Sequence, residues 1–528
     1  MARTKLTAYL VKQKYNKVEY AELIKEDKYD SYQIRSDLNI EGQIIVGHEQ
    51  ESTPDWLTFL RIGTNDNIPN MSNKSTRAVI FIKHKGNLLL FTHGQGRHMI
   101  KESVYKKDFG LKIVLNSIEP NNFRSIDAAT IDVASIQTRS QSSRTTQIRD
   151  LNFDAITDLL RSVTGTPKND RFGKVISGRD TFHFTYEFNN GFRDFNEICQ
   201  FLIDSYESEE YKEHYSWVDN LQRVEDRELK EKLNELLIKQ INNKNVEEIS
   251  LGIPEIIDYT INISYSYTEK GENYEDINIK DYYNRVERFD TVSLKQVKNH
   301  YIFSQDGENE GYIDKWKVYD CLIFETSYNN TSYILTIGEW FKVDDDYAKQ
   351  VESYIEDIED YEIKFPRCKF EESEEEFNGR ASNDNELPEM INMDRKNLLY
   401  DNSKIELCDL LTNKRELIHV KKWYSSSTLS HLFSQGRISG ELLLREATFR
   451  QKAINKISEV NEEYAQIISL DDYLPTEMTI VFAIIDKDER ALHKRLPFFS
   501  KLNMMQATDF LRGIGYEVKK AKIVQEVE

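Results

Sequence analysis

The chain has 528 residues, of which 39% are hydrophobic and 11% aromatic, so it is too long for one compact core and too apolar to be generally disordered. Its formal net charge of -20 at pH 7 argues at first against a protein that binds phosphate groups. The charge is unevenly distributed, however, because residues 1–200 carry a net +4, residues 201–400 a net -24 and residues 401–528 a net 0.

From this distribution and the apolar segments we predict a multidomain α+β protein in three parts. A mixed α/β N-terminal domain with basic patches covers residues 1–200, an acidic middle region with helices and an antiparallel meander covers 201–385, and a C-terminal α/β domain covers 386–528. The four cysteines have no CxxC spacing, and no apolar run is long enough for a signal peptide or a membrane span. We therefore expect a cytoplasmic protein without disulfides and without a membrane partner.

In the N-terminal domain, short apolar segments alternate with turns. WLTFLRI is expected to be a strand, and AVIFIKH and NLLLFTH, joined by Lys85-Gly86, are expected to form a hairpin. The apolar residues of FDAITDLLRSV recur at helical spacing, which predicts a helix there.

Basic residues cluster around this hairpin. Gly94-Gln95-Gly96-Arg97 follows a strand and could let backbone N–H groups approach a phosphate, although a tight turn explains it equally well. The stretch 124–150 places arginines among Ser, Thr and Gln, which suits sugar-phosphate oxygens, a flexible loop being the alternative. Arg97, Arg139 and Arg144 are therefore candidate nucleic-acid-binding residues, and a solvated basic face is the plain alternative.

The middle region is predicted to contain an amphipathic helix within 219–243 and an antiparallel meander whose strands turn at Asn329-Asn330. A second helix follows in the acidic stretch, and residues 371–385 are expected to be an exposed linker. The charge of this region favours contact with solvent or with a basic protein partner.

The C-terminal domain begins with KIELCDLLTNKRELIHVKK, which predicts two strands joined by a polar turn, and a helix over LSHLFSQGRISGELLL. The glycines of this helix would allow close approach to the sheet. MTIVFAIID, KLNMMQATDFLRG and YEVKKAKIV then predict a strand, a helix and a strand with a right-handed crossover.

The hairpin carries an acid on one strand and a lysine on the other. If the turn pairs Leu411 with Glu416, Asp409 points away from Lys421 and Glu406 is the hairpin acid near the lysine. In an odd register, or with a bulge, Asp409 joins His419 and Lys421 on one face. The plain alternative is an exposed hairpin with ordinary ion pairs such as Glu406 to Lys421.

The order of these residues resembles the PD-(D/E)XK nuclease superfamily, in which an acid from a preceding helix, an acid on one hairpin strand and an acid-x-Lys pair on the next form the site. The resemblance implies that Asp409 with Glu386 or Glu389 would hold Mg²⁺ and that Lys421 would act as electrostatic catalyst. The sequence departs from the pattern at His419, which stands in place of the second acid and could orient water.

The helix after the hairpin adds Gln435, which occurs at the corresponding place in this resemblance, and Arg437 on the same polar side as further candidates for nucleic-acid binding. A kinase-like catalytic loop in MDRKNLLYDN is disfavoured, because no glycine-rich nucleotide loop is found.

Several long blocks, among them FGLKIVLN, FDAITDLLRSVTGTP, SSSTLSHLFSQGRISGELL and LPFFSKLNMMQATDFLRGIGYEV, resemble a sporadically distributed bacterial protein family of unknown function over nearly the full length. Patchy distribution implies horizontally moved genes, often in defence islands. The resemblances together imply an anti-phage defence protein that binds DNA or RNA and cleaves it with Mg²⁺. The alternative is a non-catalytic sensor or scaffold that binds nucleic acid or a protein partner, and a homo-oligomer is compatible with either.

Overall fold

The structure is a computed structural model that forms two compact units, residues 1–129 with 137–218, and residues 130–136 with 219–528. Among the described residues, none of the helices combines the length and the apolar character needed to cross a bilayer. Helices and strands, the strands mostly in antiparallel sheets, confirm the α+β class. The structure describes residues 3–25, 28–130, 136–246, 248–257, 264–269, 271–286, 291–305, 312–401, 403–424 and 426–527.

The first unit is built on a ten-stranded sheet in the order β2-β3-β4-β5-β1-β10-β9-β8-β6-β7. Its strands are β1 (Arg3–Leu10), β2 (Tyr29–Gln33), β3 (Glu41–Ser52), β4 (Asn73–His84), β5 (Asn87–Gly94), β6 (Ile118–Thr130), β7 (Gln137–Thr146), β8 (Asp158–Pro167), β9 (Ile176–Gly178) and β10 (Phe182–Glu187). Its helices are α1 (Asp55–Ile62), α2 (Phe109–Ser117), α3 (Phe195–Glu207) and α4 (Lys212–Tyr215).

Alternation along the strands separates the two faces of this sheet. Leu6, Ala8 and Phe182 are buried in one hydrophobic core with residues of α2 and α3, whereas Thr7 and His183 lie on the other face. The predicted β4–β5 hairpin is confirmed. Lys85 and Gly86, with φ of 47° and 79°, form the left-handed turn that such hairpins favour.

Two sequence predictions in this unit are wrong. WLTFLRI lies in helix α1, where Leu57 is buried and Trp56 and Phe59 are exposed, so burial does not alternate as in a half-buried strand. FDAITDLLRSV does not form a helix, since it runs into strand β8, whose second half buries alternate residues. The apolar spacing of that segment fits both periods, and pairing with β9 decides for the strand.

The second unit contains the remaining elements. Its strands are β11 (Leu221–Arg223), β12 (Ile249–Leu251), β13 (Ser264–Ser266), β14 (Tyr301–Gln305), β15 (Lys315–Lys317), β16 (Leu322–Tyr328), β17 (Thr331–Thr336), β18 (Glu339–Val343), β19 (Met390–Asn392), β20 (Leu398–Tyr400), β21 (Ser403–Ile405), β22 (Leu410–Thr412), β23 (Glu416–Lys422), β24 (Thr479–Asp486) and β25 (Glu517–Val524). Its helices are α5 (Arg227–Asn242), α6 (Ile279–Val286), α7 (Leu294–Asn299), α8 (Val318–Cys321), α9 (Asp345–Asp357), α10 (Glu374–Ala381), α11 (Ser426–Arg445), α12 (Ala447–Val460), α13 (Leu492–Arg495) and α14 (Phe498–Gly513).

The predicted amphipathic helix is α5, and the predicted meander is the antiparallel series β16, β17 and β18. Glu325 of the meander accepts hydrogen bonds from the backbone N–H groups of Phe498 (2.5 Å) and Phe499 (2.8 Å) at the start of α14. Such contacts join the meander to the C-terminal sheet in one compact unit. The predicted boundary at residue 385 lies inside this unit, and that at residue 200 lies inside α3.

The C-terminal sheet has the order β19-β22-β23-β24-β25, antiparallel as far as β23 and parallel from β23 to β25. One face packs under α11, where a Cβ on Gly436 would lie 2.6 Å from the ring of Phe482, so the glycine does allow the close approach predicted for it. The other face, including Ile418 and Val420, shares a core with Phe377 of α10. The sheet that contains β22 and β23 therefore lies between α10 on one face and α11 on the other.

Candidate functional site

The hairpin of β22 and β23 has the odd register. Leu411 lies opposite Leu417 and Leu410 lies opposite Ile418. Asp409 precedes this pairing and is not in regular register with His419, because its backbone N–H also bonds to the carbonyl of Ile418. The turn between Thr412 and Glu416 includes Arg415 with a φ of 67°. The pairing of Leu411 with Glu416, which would have turned Asp409 away from Lys421, does not form.

Asp409 ends the ladder between the two strands. Its backbone N–H donates to the carbonyl of Ile418 (3.0 Å), and its Oδ2 accepts from the backbone N–H of Val420 (2.7 Å). Burial raises the pKa of Asp409 to about 8, and the neighbouring carboxylates of Asp394 and Glu406 act in the same direction. A carboxyl group with this pKa is mostly protonated at pH 7. A nearby cation would favour its ionised form.

Lys421 is paired with an acid that the sequence analysis did not select. Its Nζ donates to Oε2 of Glu374 (2.8 Å), and the other oxygen of Glu374 accepts from the backbone N–H of Lys422 (3.0 Å). Glu374 is the first residue of α10, in the stretch expected to be an exposed linker. That expectation is wrong, because α10 begins with a capping box between Ser373 and Glu376 and buries Phe377 against the sheet.

The metal ligands predicted ahead of the hairpin, Glu386 and Glu389, are not brought to Asp409. Both side chains are exposed, and no hydrogen bond or ion pair joins either of them to Asp409 in the part of the chain that the structure describes. Glu389 instead lies close enough to Tyr464 to contribute, after burial, to the raised pKa of that phenol. Glu374 on α10 takes the place expected for an acid from a preceding helix.

His419 faces away from this cluster and into the layer beneath α11. Its side chain is fully buried, its Nε2 lies 3.4 Å from Oγ of Ser439, and its ring lies near Phe482. Burial lowers the pKa of His419 to about 4, so the imidazole is neutral at pH 7. The structure therefore does not place His419 where it could orient water at the hairpin acid.

Glu406 and Gln435 meet in a small pocket of about 390 Å³. Nε2 of Gln435 donates to Oε2 of Glu406 (2.7 Å), so the ion pair between Glu406 and Lys421 that a plain hairpin would make is replaced by two other contacts. Arg437 points elsewhere, with its guanidinium 4.4 Å from the ring centroid of Phe510 on α14. Gln435 thus lines a pocket beside the hairpin, and Arg437 does not.

The buried side-chain amide of Asn378 lies beside the carboxylate of Asp394. Asn378 of α10 is fully buried, and its Nδ2 donates to Oδ2 of Asp394 (3.2 Å), the carboxylate that raises the pKa of Asp409. Oδ1 of Asn378 is buried without a hydrogen-bond partner among the described residues. Within the same ranges, no group of three or more His, Cys, Asp or Glu side chains is arranged to hold a metal ion. A cation here would be held by few carboxylates, the amide oxygen and water, which suits Mg²⁺.

In the first unit, the structure brings two of the three predicted arginines together. Arg97 and Arg139 line one groove of about 870 Å³, whereas Arg144 does not contribute to it. The glycines before Arg97 are explained by the fold, because a Cβ on Gly94 or Gly96 would lie 2.2 Å from a carbonyl oxygen of β4. The tight-turn interpretation of that loop therefore accounts for its glycines.

Comparison with known proteins gives one match. The model of a family described as "Family of unknown function (DUF6119)" matches residues 6–524, which is nearly the whole chain. No curated protein matches the chain. No solved structure matches it either.

Proposed function

Since the chain belongs to this family of unknown function, we propose from its own geometry that it is a metal-dependent nuclease that cleaves DNA or RNA at the hairpin site. The observation that carries the proposal is that one acid from α10 and one acid that precedes β22 both bind the C-terminal end of β23. Asp409 before β22 binds the amide of Val420, and Glu374 of α10 binds both Lys421 and the amide of Lys422. The two acids therefore contact three successive residues of β23, and the middle one of these is Lys421.

The protonation of Asp409 fits a site completed by a cation. With a pKa of about 8, its carboxyl group releases a proton near neutral pH when a positive charge approaches. Asp409, Asp394 and the free amide oxygen of Asn378 are the groups that would hold Mg²⁺. When bound, Mg²⁺ would polarise a phosphoryl oxygen and activate a water molecule.

Lys421 and Glu374 supply the remaining charge. The ammonium group of Lys421 would stabilise negative charge that develops on the phosphate, because a fixed cation acts most strongly on the charge of the transition state. Glu374 is a positioning residue, since its carboxylate holds both that ammonium group and the next backbone amide. The pocket between Glu406 and Gln435 offers polar groups beside the hairpin for a neighbouring nucleotide.

The test is a cleavage assay with labelled single-stranded and double-stranded DNA and RNA, in Mg²⁺, in Mn²⁺ and in EDTA. We expect cleavage by the wild-type protein that requires the metal, and a loss of about 100-fold or more in Lys421→Ala and Asp409→Asn. Glu386→Gln and Glu389→Gln are matched controls, because both remove an exposed acid in the same region, and we expect them to retain full activity.

Two results would contradict the proposal in different ways. Absence of cleavage of every substrate by the folded wild-type protein would remove the nuclease. Metal-dependent cleavage that survives Lys421→Ala but is lost in Glu389→Gln would move the active site away from the hairpin.

A second function has one specific observation in its favour. His419, at the position of the second acid, is buried under α11, so the hairpin offers fewer carboxylates than the nuclease pattern requires. On this alternative the protein is a non-catalytic sensor or scaffold that binds nucleic acid at the same site, with the acidic middle region as a docking surface for a protein partner. Metal-independent binding of nucleic acid without cleavage would favour it.

Either function would be directed against foreign nucleic acid. The support is the resemblance of the chain to a patchily distributed bacterial family, whose genes would be of the kind found in defence islands. Expression in a phage-sensitive bacterial host should lower the number of plaques, and Lys421→Ala should restore it if cleavage is the defence. Equal protection by Lys421→Ala would instead favour the sensor.

A further inference from the structure

A second polar site lies in the first unit, on the face of the ten-stranded sheet opposite α2 and α3. The groove of about 870 Å³ crosses strands from β5 to β7, and Thr7, Tyr9 and His183 form part of its floor. The neighbours of these residues on the same strands, such as Leu6, Ala8 and Phe182, are buried on the helical side. Alternation along β1 and β10 therefore leaves Lys5 and His183 exposed and Thr7 half-buried on this face, whereas Tyr9 is buried in a second hydrophobic core.

The charges of this groove are unbalanced in favour of cations. Two of its basic residues are neutralised by acids that also line it, since Arg139 pairs with Asp127 (2.6 Å) and Lys25 pairs with Glu102 (3.4 Å). A third acid of the groove, Asp180, pairs with Lys107 (3.0 Å). Three further cations, Lys5, Arg97 and Arg179, line the groove without a carboxylate partner in the ranges that the structure describes.

The unpaired cations surround a floor of aromatic and hydroxyl groups. The rings of Tyr9 and Tyr105 meet edge to face, with 5.2 Å between their centroids. The charge of Arg97 acts on the Tyr9 phenol, and that of Arg179 acts on the Tyr105 phenol. His183 lies between two hydroxyl groups, with Thr7 Oγ1 and Thr181 Oγ1 each 2.9 Å from a ring nitrogen. Desolvation and the charge of Arg97 lower the pKa of His183. The groove thus combines fixed cations at its surface with neutral hydrogen-bonding groups below.

We propose that this groove binds the phosphates of a nucleotide or of a nucleic-acid strand through Lys5, Arg97 and Arg179. A guanidinium group offers several N–H donors in a fixed fork that matches phosphate oxygens, and a concave site lined by one sign of charge concentrates the opposite ion. The hydroxyl groups of Thr7 and Thr181 would provide hydrogen bonds to a sugar. The site is separate from the hairpin residues and does not depend on cleavage there.

Binding is measured by fluorescence anisotropy on the full-length Asp409→Asn protein in EDTA, so that a failure of the nuclease proposal leaves the result intact. The probes are labelled ten-nucleotide oligo-dT and oligo-U, with unlabelled ADP as competitor. We expect Arg97→Glu with Arg179→Glu to raise the Kd about tenfold or more, and the milder Arg97→Gln with Arg179→Gln to raise it in the same direction. Arg144→Glu is the matched control, because it reverses an exposed arginine of the same unit outside the groove.

The outcomes separate the sources of phosphate. Oligonucleotide binding without competition by ADP assigns the groove to a strand, and competition by ADP at a similar concentration assigns it to a nucleotide. Failure of every probe to bind the folded protein would overturn the proposal, as would an equal loss of affinity in Arg144→Glu, which would reduce the effect to the general charge of the unit. Unchanged thermal unfolding of the glutamine variant shows that its loss of affinity is not a loss of fold.

Discussion

The hairpin site and the groove of the first unit hold charge in opposite ways. At the hairpin, the Asp409 carboxyl group is buried with a pKa of about 8, and the Lys421 ammonium group is paired with Glu374. In the groove, the guanidinium groups of Arg97 and Arg179 are exposed. A buried acid responds to pH and to a bound cation, whereas exposed guanidinium groups respond to salt and to polyanions. The two sites can therefore be separated by solution conditions as well as by mutation.

The largest expected difference between the sites is in catalysis. Asp409→Asn keeps the shape of the side chain but removes a charged metal ligand, so we expect metal-dependent cleavage to fall by about 100- to 1,000-fold. Oligonucleotide affinity of the groove in EDTA should change by less than about twofold. Initial rates and anisotropy on the same preparation test both statements. A parallel fall in both quantities would show that the two sites are not independent.

The next effect is on stability as a function of pH. The pKa of Asp409 is raised in the folded state from an ordinary value of 3.8 to about 8, so its contribution to stability is complete below pH 4 and is lost as the pH rises to about 8. Asp409→Asn lacks this titration, and we expect it to be more stable than the wild-type protein by about 2 kcal/mol at pH 9, with the difference shrinking at lower pH. Urea unfolding between pH 5 and pH 9 measures the difference. A constant difference across this range would show that Asp409 is not the titrating group.

A change of similar size but of opposite sign, a loss of stability without a strong dependence on pH, is expected for Glu374→Ala. This change leaves the Lys421 ammonium group and the Lys422 backbone N–H without their shared acceptor, which should cost about 1–2 kcal/mol. Glu375→Ala is the matched control on the same helical turn, because Glu375 pairs with Arg395 where both side chains are exposed, and it should cost less than about 0.5 kcal/mol. Equal losses in the two variants, measured by urea unfolding, would show that Glu374 has no special role.

The smallest effect is on the salt dependence of binding at the groove. Arg97→Ala removes one phosphate contact, so the slope of log Kd against log salt should fall by about 0.7 for a single strand. Anisotropy titrations between 50 and 300 mM NaCl measure this slope, with Arg144→Ala as the control that should leave it unchanged. An unchanged slope in Arg97→Ala would place the phosphates away from this residue.

The parts of the fold that the sequence predicts well are those fixed by local chemistry. The β4–β5 hairpin follows from Lys85-Gly86, and the meander turns at Asn329 and Asn330, which have φ of 50° and 61°. The order of strands and helices in the C-terminal sheet follows from apolar segments of the right length. These features depend on residues that are close together in the chain.

The site was less predictable because it depends on the number of residues in the hairpin turn and on contacts between residues that are far apart in the chain. Whether Asp409 joins Lys421 depends on the length of a turn that ends with Arg415 in a left-handed conformation, which composition does not specify. Glu374 was missed because the charge of EESEEEF is typical of an exposed linker, although Ser373 and Glu376 have the spacing of a capping box. The capping box was the available signal for a helix, and only tertiary packing of Phe377 shows where that helix lies.

The carboxyl groups of Asp409 and Glu374 also accept hydrogen bonds from backbone N–H groups at an edge of the sheet. Strand β22 begins at Leu410, opposite Ile418, so in the described parts of the chain no strand pairs with β23 beyond Ile418 on that side. The amides of Val420 and Lys422, which point toward that edge, are instead held by the two acidic side chains. An unprotected edge is a template on which another chain can add a strand, and acidic side chains at the edge oppose this. We therefore expect these contacts also to oppose self-association, so that Glu374→Ala protein aggregates at concentrations at which Glu375→Ala protein stays monodisperse.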